Sequence, residues 1–125
     1  MAALREFAAT LLSATTVSLA ADGDTNIYKV PDDKRCVLLF AILVAGADAG
    51  TSDISIGNNG TETDFIGVTN LDNLDAQYDA VLLAPVPSAT PATLKSYAGG
   101  STIQTQVANH AGGASNVLYL FGFLY

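Results

Sequence analysis

The sequence holds one cysteine, one histidine, one methionine and no tryptophan, and each scarcity removes a class of protein. The lone cysteine, Cys36, excludes an internal disulfide, and its place at the head of an apolar run reads as a small buried hydrophobe. The lone histidine, His110, sits in a Gly- and Ala-rich loop, with no second imidazole at metal spacing and no nucleophile–base–acid motif around it. No catalytic residue, cofactor or metal ligand is expected, so the chain reads as no enzyme. Charge is scarce too: Asp, Glu, Lys and Arg make up 14% of the chain, against roughly 25% in typical soluble domains. What charge remains is unbalanced, twelve acidic residues against five basic, for a net charge of -7 and a pI near 4.1. A phosphate backbone would repel such a chain, which excludes a nucleic-acid partner. No apolar stretch approaches the roughly 20 residues of a membrane-spanning helix, so no membrane partner is expected either.

Hydrophobic residues, by contrast, make up half of the 125 residues, enough to build a core without staples. Residues 1–9 have weak helical character, with Leu4 and Phe7 three apart, but no N-cap; an arm or irregular lead-in is expected. The opening superficially imitates a secretory signal, yet Glu6 interrupts its basic region and the stretch from Thr10 to Ser18 is rich in Thr and Ser, so no cleaved signal is expected. Strands are read at 10–19, ended by a turn at Asp22-Gly23-Asp24, and at 27–30, ended by Pro31. A long apolar strand at 34–44 follows, with both faces buried. Segments 53–57 and 61–66 flank Asn58-Asn59-Gly60, where an Asn-Gly pair between alternating runs signals a hairpin. Residues 69–79 read as an acidic surface connection with a helical turn near 71–76. Short strands follow at 80–84 and 94–97, then an alternating one at 102–108 with one wet face.

Two patterns mimic chemistry without completing it. Asp22, Asp24 and Asp33 approach the spacing of a calcium loop, but Ile27 stands where such loops need glycine, and ordinary turn aspartates are the simpler reading. Asn59-Gly60-Thr61 fits a glycosylation sequon and equally a tight hairpin tip.

The final run, Val117 to Tyr125, has apolar side chains on both faces. Alternation puts Val117, Tyr119, Phe121, Phe123 and Tyr125 on one side and Leu118, Leu120, Gly122 and Leu124 on the other. One side belongs to the core; the other needs cover from the same fold or from a partner. With the strand at 34–44, this pattern favours an oligomer. The candidate interface residues are Leu4, Phe7, Tyr119, Phe121, Phe123 and Tyr125.

The stretch Ile27-Tyr28-Lys29-Val30-Pro31-Asp32-Asp33-Lys34-Arg35, followed by an apolar strand, resembles the Tyr-x-Val-Pro-x-Gly-Lys opening of small virion proteins of tailed bacteriophages and prophages. Asp33 takes the place of the usual glycine. The resemblance continues through the hairpin at Asn58 to Gly60, the Tyr97-Ala98-Gly99-Gly100 turn and the ending Leu120 to Tyr125. It implies a head decoration, or cement, protein on the outer capsid surface, assembled in the bacterial host cytoplasm, with itself (as a homotrimer) and the major capsid protein as partners. The acidic charge agrees with an outward position, away from packaged DNA. A tail, neck or fibre-base component and a carbohydrate-binding jelly roll are the alternatives. The expected fold is all-β: an antiparallel β-sandwich, jelly-roll-like, with residues 1–9 as an arm and residues 10–125 as a single domain.

Overall fold

The structure, a computed structural model, describes residues 10–85 and 93–125. Among these residues there are nine strands, and no helix long and apolar enough to cross a membrane. The strands are β1 (Thr10–Val17), β2 (Gly23–Lys29), β3 (Cys36–Val44), β4 (Asp53–Asn58), β5 (Thr61–Asn70), β6 (Ala80–Leu83), β7 (Lys95–Tyr97), β8 (Thr102–Ala108) and β9 (Asn116–Leu124). Sheet A has the order β1-β9-β3-β6, with β7 continuing the β6 flank of β3, and sheet B has the order β2-β8-β4-β5. All pairings are antiparallel. The expected antiparallel β-sandwich is the fold; the expected arm at 1–9, with Leu4 and Phe7, lies outside the described residues.

Alternation sets which side chains meet between the sheets. Cys36, Leu38, Ala41 and Leu43 of β3, with Leu118 and Leu120 of β9, are buried against Ile54 and Ile56 of β4 and Ile103 and Val107 of β8. Each fully buried Leu or Ile contributes about 1.5–3 kcal/mol relative to exposure, so this layer is the main source of stability.

β9 is the inner strand on which sheet A is organised, and it narrows at one point. Beside Phe121 and Gly122 both neighbours shift register, between Leu11 and Ser13 in β1 and between Leu38 and Phe40 in β3. A Cβ at position 122 would lie 2.2 Å from the Val37 carbonyl and 3.1 Å from Leu12 Cδ1. Glycine there lets the bulged neighbours close in, and Leu12 packs against the core.

The hairpin read from Asn58-Asn59-Gly60 is present, with Gly60 at φ 92°. Glu62 accepts the Gly60 N–H (3.1 Å), and Asp64 accepts the Asn58 N–H (3.0 Å) and the Tyr97 hydroxyl (2.8 Å). Lys95 Nζ lies 3.6 Å from the same carboxylate, so the hairpin of sheet B is tied to β7 of sheet A. Burial, then the bond to Asp64, pushes the Tyr97 phenol well above its usual range.

Three boundaries differ from the sequence reading. Asp22-Gly23-Asp24 does not close a turn: β2 begins at Gly23, because Gly23 and Asp24 pair with Val107 and Gln106 along a solvent-facing edge. β5 runs on to Asn70, and the helical turn expected near 71–76 is a single hydrogen-bonded turn, Leu74 N–H to the Leu71 carbonyl at 2.9 Å, with no helix. That segment is no simple surface connection either, since Leu71 and Leu74 are buried and anchor it to the core.

Replacing Gly122 with Ala should force backbone movement in two strands and lower stability by about 1–3 kcal/mol. Gly67→Ala, where a Cβ meets nothing within 4 Å, should leave the urea midpoint nearly unchanged, which makes the pair an internally controlled measurement.

Candidate interaction surface

The sandwich has two outer faces of opposite character. On sheet B, the register directs Asp24 and Asn26 of β2, Gln104 and Gln106 of β8, and Asp53 and Ser55 of β4 away from the core. These polar groups bond one another: Gln104 Nε2 donates to Asn26 Oδ1 (2.6 Å), and the Asp53 carboxylate accepts from Asn70 (2.9 Å) and Asn109 (2.8 Å). Water is the natural cover for such a face.

On sheet A, the outward positions of β9 are Val117, Tyr119, Phe121 and Phe123, paired with Val44, Ile42, Phe40 and Val37 of β3. Ala14 and Leu11 of β1 and Leu82 of β6 extend the same side. No residue in the strand registers of this face is charged, but Arg35, which pairs with Tyr125, sets its guanidinium 3.5 Å from Ser96 Oγ at the edge of it. The Phe40 and Phe121 rings stack at 4.8 Å and 20°, and Phe123 and Tyr125 meet at 6.2 Å. Mutual covering of this kind leaves Tyr119, Phe121 and Phe123 only half-buried, while Leu82 is 66% exposed.

Four of the sequence-derived interface residues, Tyr119, Phe121, Phe123 and Tyr125, thus lie on one side of one strand and its extension. Tyr125 is held there: its backbone exchanges hydrogen bonds with Arg35 (2.9 and 3.0 Å), and its hydroxyl meets Ser96 Oγ at 3.2 Å. The expectation that β3 is covered on both faces is corrected. Its inward side chains are buried, but its outward Phe40, Ile42 and Val44 are only half-buried, because nothing among the described residues packs over that side of sheet A.

Elsewhere the structure pairs residues that sequence reasoning kept apart. His110 sits in the β8–β9 loop, where its Nδ1 lies 2.8 Å from Asp22 Oδ1 and its backbone N–H donates to the same oxygen at 3.0 Å. No local signal announces the pair, since 88 positions separate them. The two bonds hold the Asp22 carboxyl below its usual range. Cys36 is fully buried, and burial pushes its thiol up to about 11; it opens β3 at the end of the sandwich opposite His110.

No protein-family model and no curated protein matches the chain. Solved structures do. A chain of the acidic stable capsid structure of Helicobacter pylori bacteriophage KHP30 superposes with a TM-score of 0.61 at 16% identity, covering 94% of this chain and 90% of that one. A chain of the cyanophage Pam1 capsid asymmetric unit gives 0.51 at 13% identity, covering 92% and 84%. At these identities the likeness is one of fold, and it extends over nearly the whole of both chains.

The Asp22 contact has a pH signature. A carboxyl lowered from 3.8 in the folded state stabilises the fold above its unfolded value, and that contribution is lost as pH falls through the lowered one. Asp22→Asn should therefore flatten the decline of the urea midpoint between about pH 5 and pH 2, with little change in its position relative to His110→Ala at neutral pH.

Proposed function

We propose that the protein is a non-enzymatic virion structural protein of a tailed bacteriophage, a capsid decoration subunit that binds the outer surface of the head as a homo-oligomer, with a trimer as the expected state. The observation that carries this reading is the uncharged apolar outer face of sheet A beside a hydrogen-bonded polar outer face on sheet B. Monomers in water have no use for the first. The KHP30 and Pam1 capsid chains support a place in the head rather than in a tail or fibre base. We further read the strand orders β1-β9-β3-β6 and β2-β8-β4-β5 as a jelly roll, since every connection but the β4–β5 hairpin and the β6–β7 link crosses between the sheets. Residues 10–125 then form one domain.

Magnitudes allow association through this face. Four strands about 4.8 Å apart and about eight residues long at ~3.3 Å each present a face of roughly 20 by 26 Å, or about 500 Å² in projection. At about 25 cal/mol/Å² its burial contributes roughly 12 kcal/mol, which is of the order of the 4–15 kcal/mol that association costs. A pair of subunits covers two such faces, so association through sheet A can offset that cost.

Light scattering of the purified protein should show an oligomer, and the protein should rebind heads that lack it. Phe121→Ser combined with Phe123→Ser should yield a monomer that no longer binds, while its far-ultraviolet circular dichroism stays that of the wild type. A wild-type monomer that ignores such heads would overturn the proposal, and a double variant that unfolds would return both rings to the core.

A further inference from the structure

The strand registers sort the charges between the two ends of the sandwich. At one end lie the β1–β2, β3–β4, β5–β6 and β8–β9 loops. The first pair, with adjoining strand ends, carries Asp22, Asp24, Asp48 and Asp53, and the β5–β6 loop adds Asp72, Asp75 and Asp79; no Lys or Arg is there. At the other end lie the β2–β3 and β7–β8 turns, the β4–β5 hairpin and the end of β9. There Lys29, Lys34, Arg35 and Lys95 balance Asp32, Asp33, Glu62 and Asp64. Arg5 and Glu6 offset each other, so the whole net charge of -7 belongs to the first end.

The ends act as separate electrostatic bodies. Nine residues of β3 span about 30 Å at ~3.3 Å each, three or more times the screening length of about 8–10 Å at physiological salt. At the balanced end, moreover, two carboxylates are turned to internal use: Asp64 is bound by Tyr97 and by the Asn58 amide, and Glu62 by the Gly60 amide. Lys95 pairs with Asp64, so Lys29, Lys34 and Arg35 stand with Asp32, Asp33 and Glu62, and this end is neutral overall. Exposed Tyr125 lies at this end, next to the aromatic half of the sheet A face, with Leu11 and Leu94 exposed part-way along opposite edges of the sheet and Tyr78 exposed at the acidic end. Basic groups around exposed apolar side chains fit a protein surface that presents carboxylates and apolar side chains of its own.

We infer that the subunit stands upright on the head, attached through the end that carries Lys29, Lys34 and Arg35, with its acidic end pointing into solvent. The inference rests on the decoration reading above. It assigns different tasks to the two ends: the neutral one, which holds the lysines and Arg35, contacts the shell, and the acidic one keeps neighbouring particles apart.

Thiol accessibility tests it directly, because the only native cysteine is fully buried. Single variants Ala47→Cys and Asp75→Cys report on the acidic end; Asp33→Cys and Asn59→Cys report on the other. Heads lacking the protein are redecorated with each variant and treated with a maleimide-polyethylene glycol. Labelling at Ala47→Cys and Asp75→Cys should match the free protein, while Asp33→Cys and Asn59→Cys should react at least about tenfold more slowly, as residues in a water-excluding contact do. Independently, Lys34→Glu with Arg35→Glu should weaken attachment at least about tenfold, whereas Asp72→Asn with Asp75→Asn should leave it unchanged. Free labelling of Asp33→Cys and Asn59→Cys on decorated heads, or protection of the acidic end, overturns the orientation and leaves the decoration reading standing. Failure of the wild-type protein to attach overturns both.

Discussion

A two-layer sandwich covers one side of each sheet, and every other property of this molecule follows from what occupies the remaining two sides. The inward residues of β3 and β9 spend their burial on Ile54, Ile56, Ile103 and Val107, so they settle the fold without settling its environment. On sheet B the outward residues are amides and carboxylates bonded to one another. On sheet A the register allows no such choice, because β9 offers Val117, Tyr119, Phe121 and Phe123 to the outside. Ring stacking between Phe40 and Phe121 reduces the exposed area, but a stack is a partial remedy, since each ring still shows one face to water.

Rigidity at the two ends comes from different devices. At the acidic end, buried Asn116 donates to the carbonyls of Val17 (3.0 Å) and Gly113 (2.9 Å) and accepts from Gly46 (3.0 Å). Ser52, also buried, accepts the Ala111 amide and donates to Ala49. Two polar side chains thereby fasten the end of β1 and the β3–β4 and β8–β9 loops to one another, and each is satisfied as a buried polar group needs to be. At the other end a single carboxylate, Asp64, joins the hairpin to Tyr97 across the sheets. Burial of Tyr97 and the bond to Asp64 both favour its neutral phenol, which keeps the donor of this link in place.

Local features were legible in the sequence and long-range ones were not. The hairpin at Asn58 to Gly60 and the alternation of β8 are set by neighbours in the chain, and both appear where they were read. Asp22-Gly23-Asp24 misled because turn chemistry is a weak preference, overridden once Gly23 and Asp24 found partners on β8. Leu71 and Leu74 were hidden in an acidic stretch whose average polarity masks two anchors. The apolar character of both sides of β9 was visible from residue 117 onward, but which side faces inward depends on pairing with β1 and β3, beyond any local pattern. Segregation of charge was least legible of all. The seven carboxylates of the acidic end are spread from Asp22 to Asp79 and come together only because antiparallel winding returns alternate loops to one end.

That segregation reconciles two demands that a net charge of -7 would set against each other. A uniformly acidic subunit resists every contact with its own kind, since like charges a few ångströms apart repel by about 1 kcal/mol even in bulk water. The outer face of sheet A proposed for contact carries no carboxylate in its strand registers, and carboxylates beyond a screening length of about 8–10 Å contribute little to its energetics. The proposed association through sheet A would be opposed only near the acidic ends of adjoining subunits. Solubility is retained at the same time, because the end most remote from Phe121, Phe123 and Tyr125 remains strongly hydrated. Apolar adhesion and electrostatic repulsion thus act on different parts of one small sandwich, and the register of β9 with β3 is what separates them.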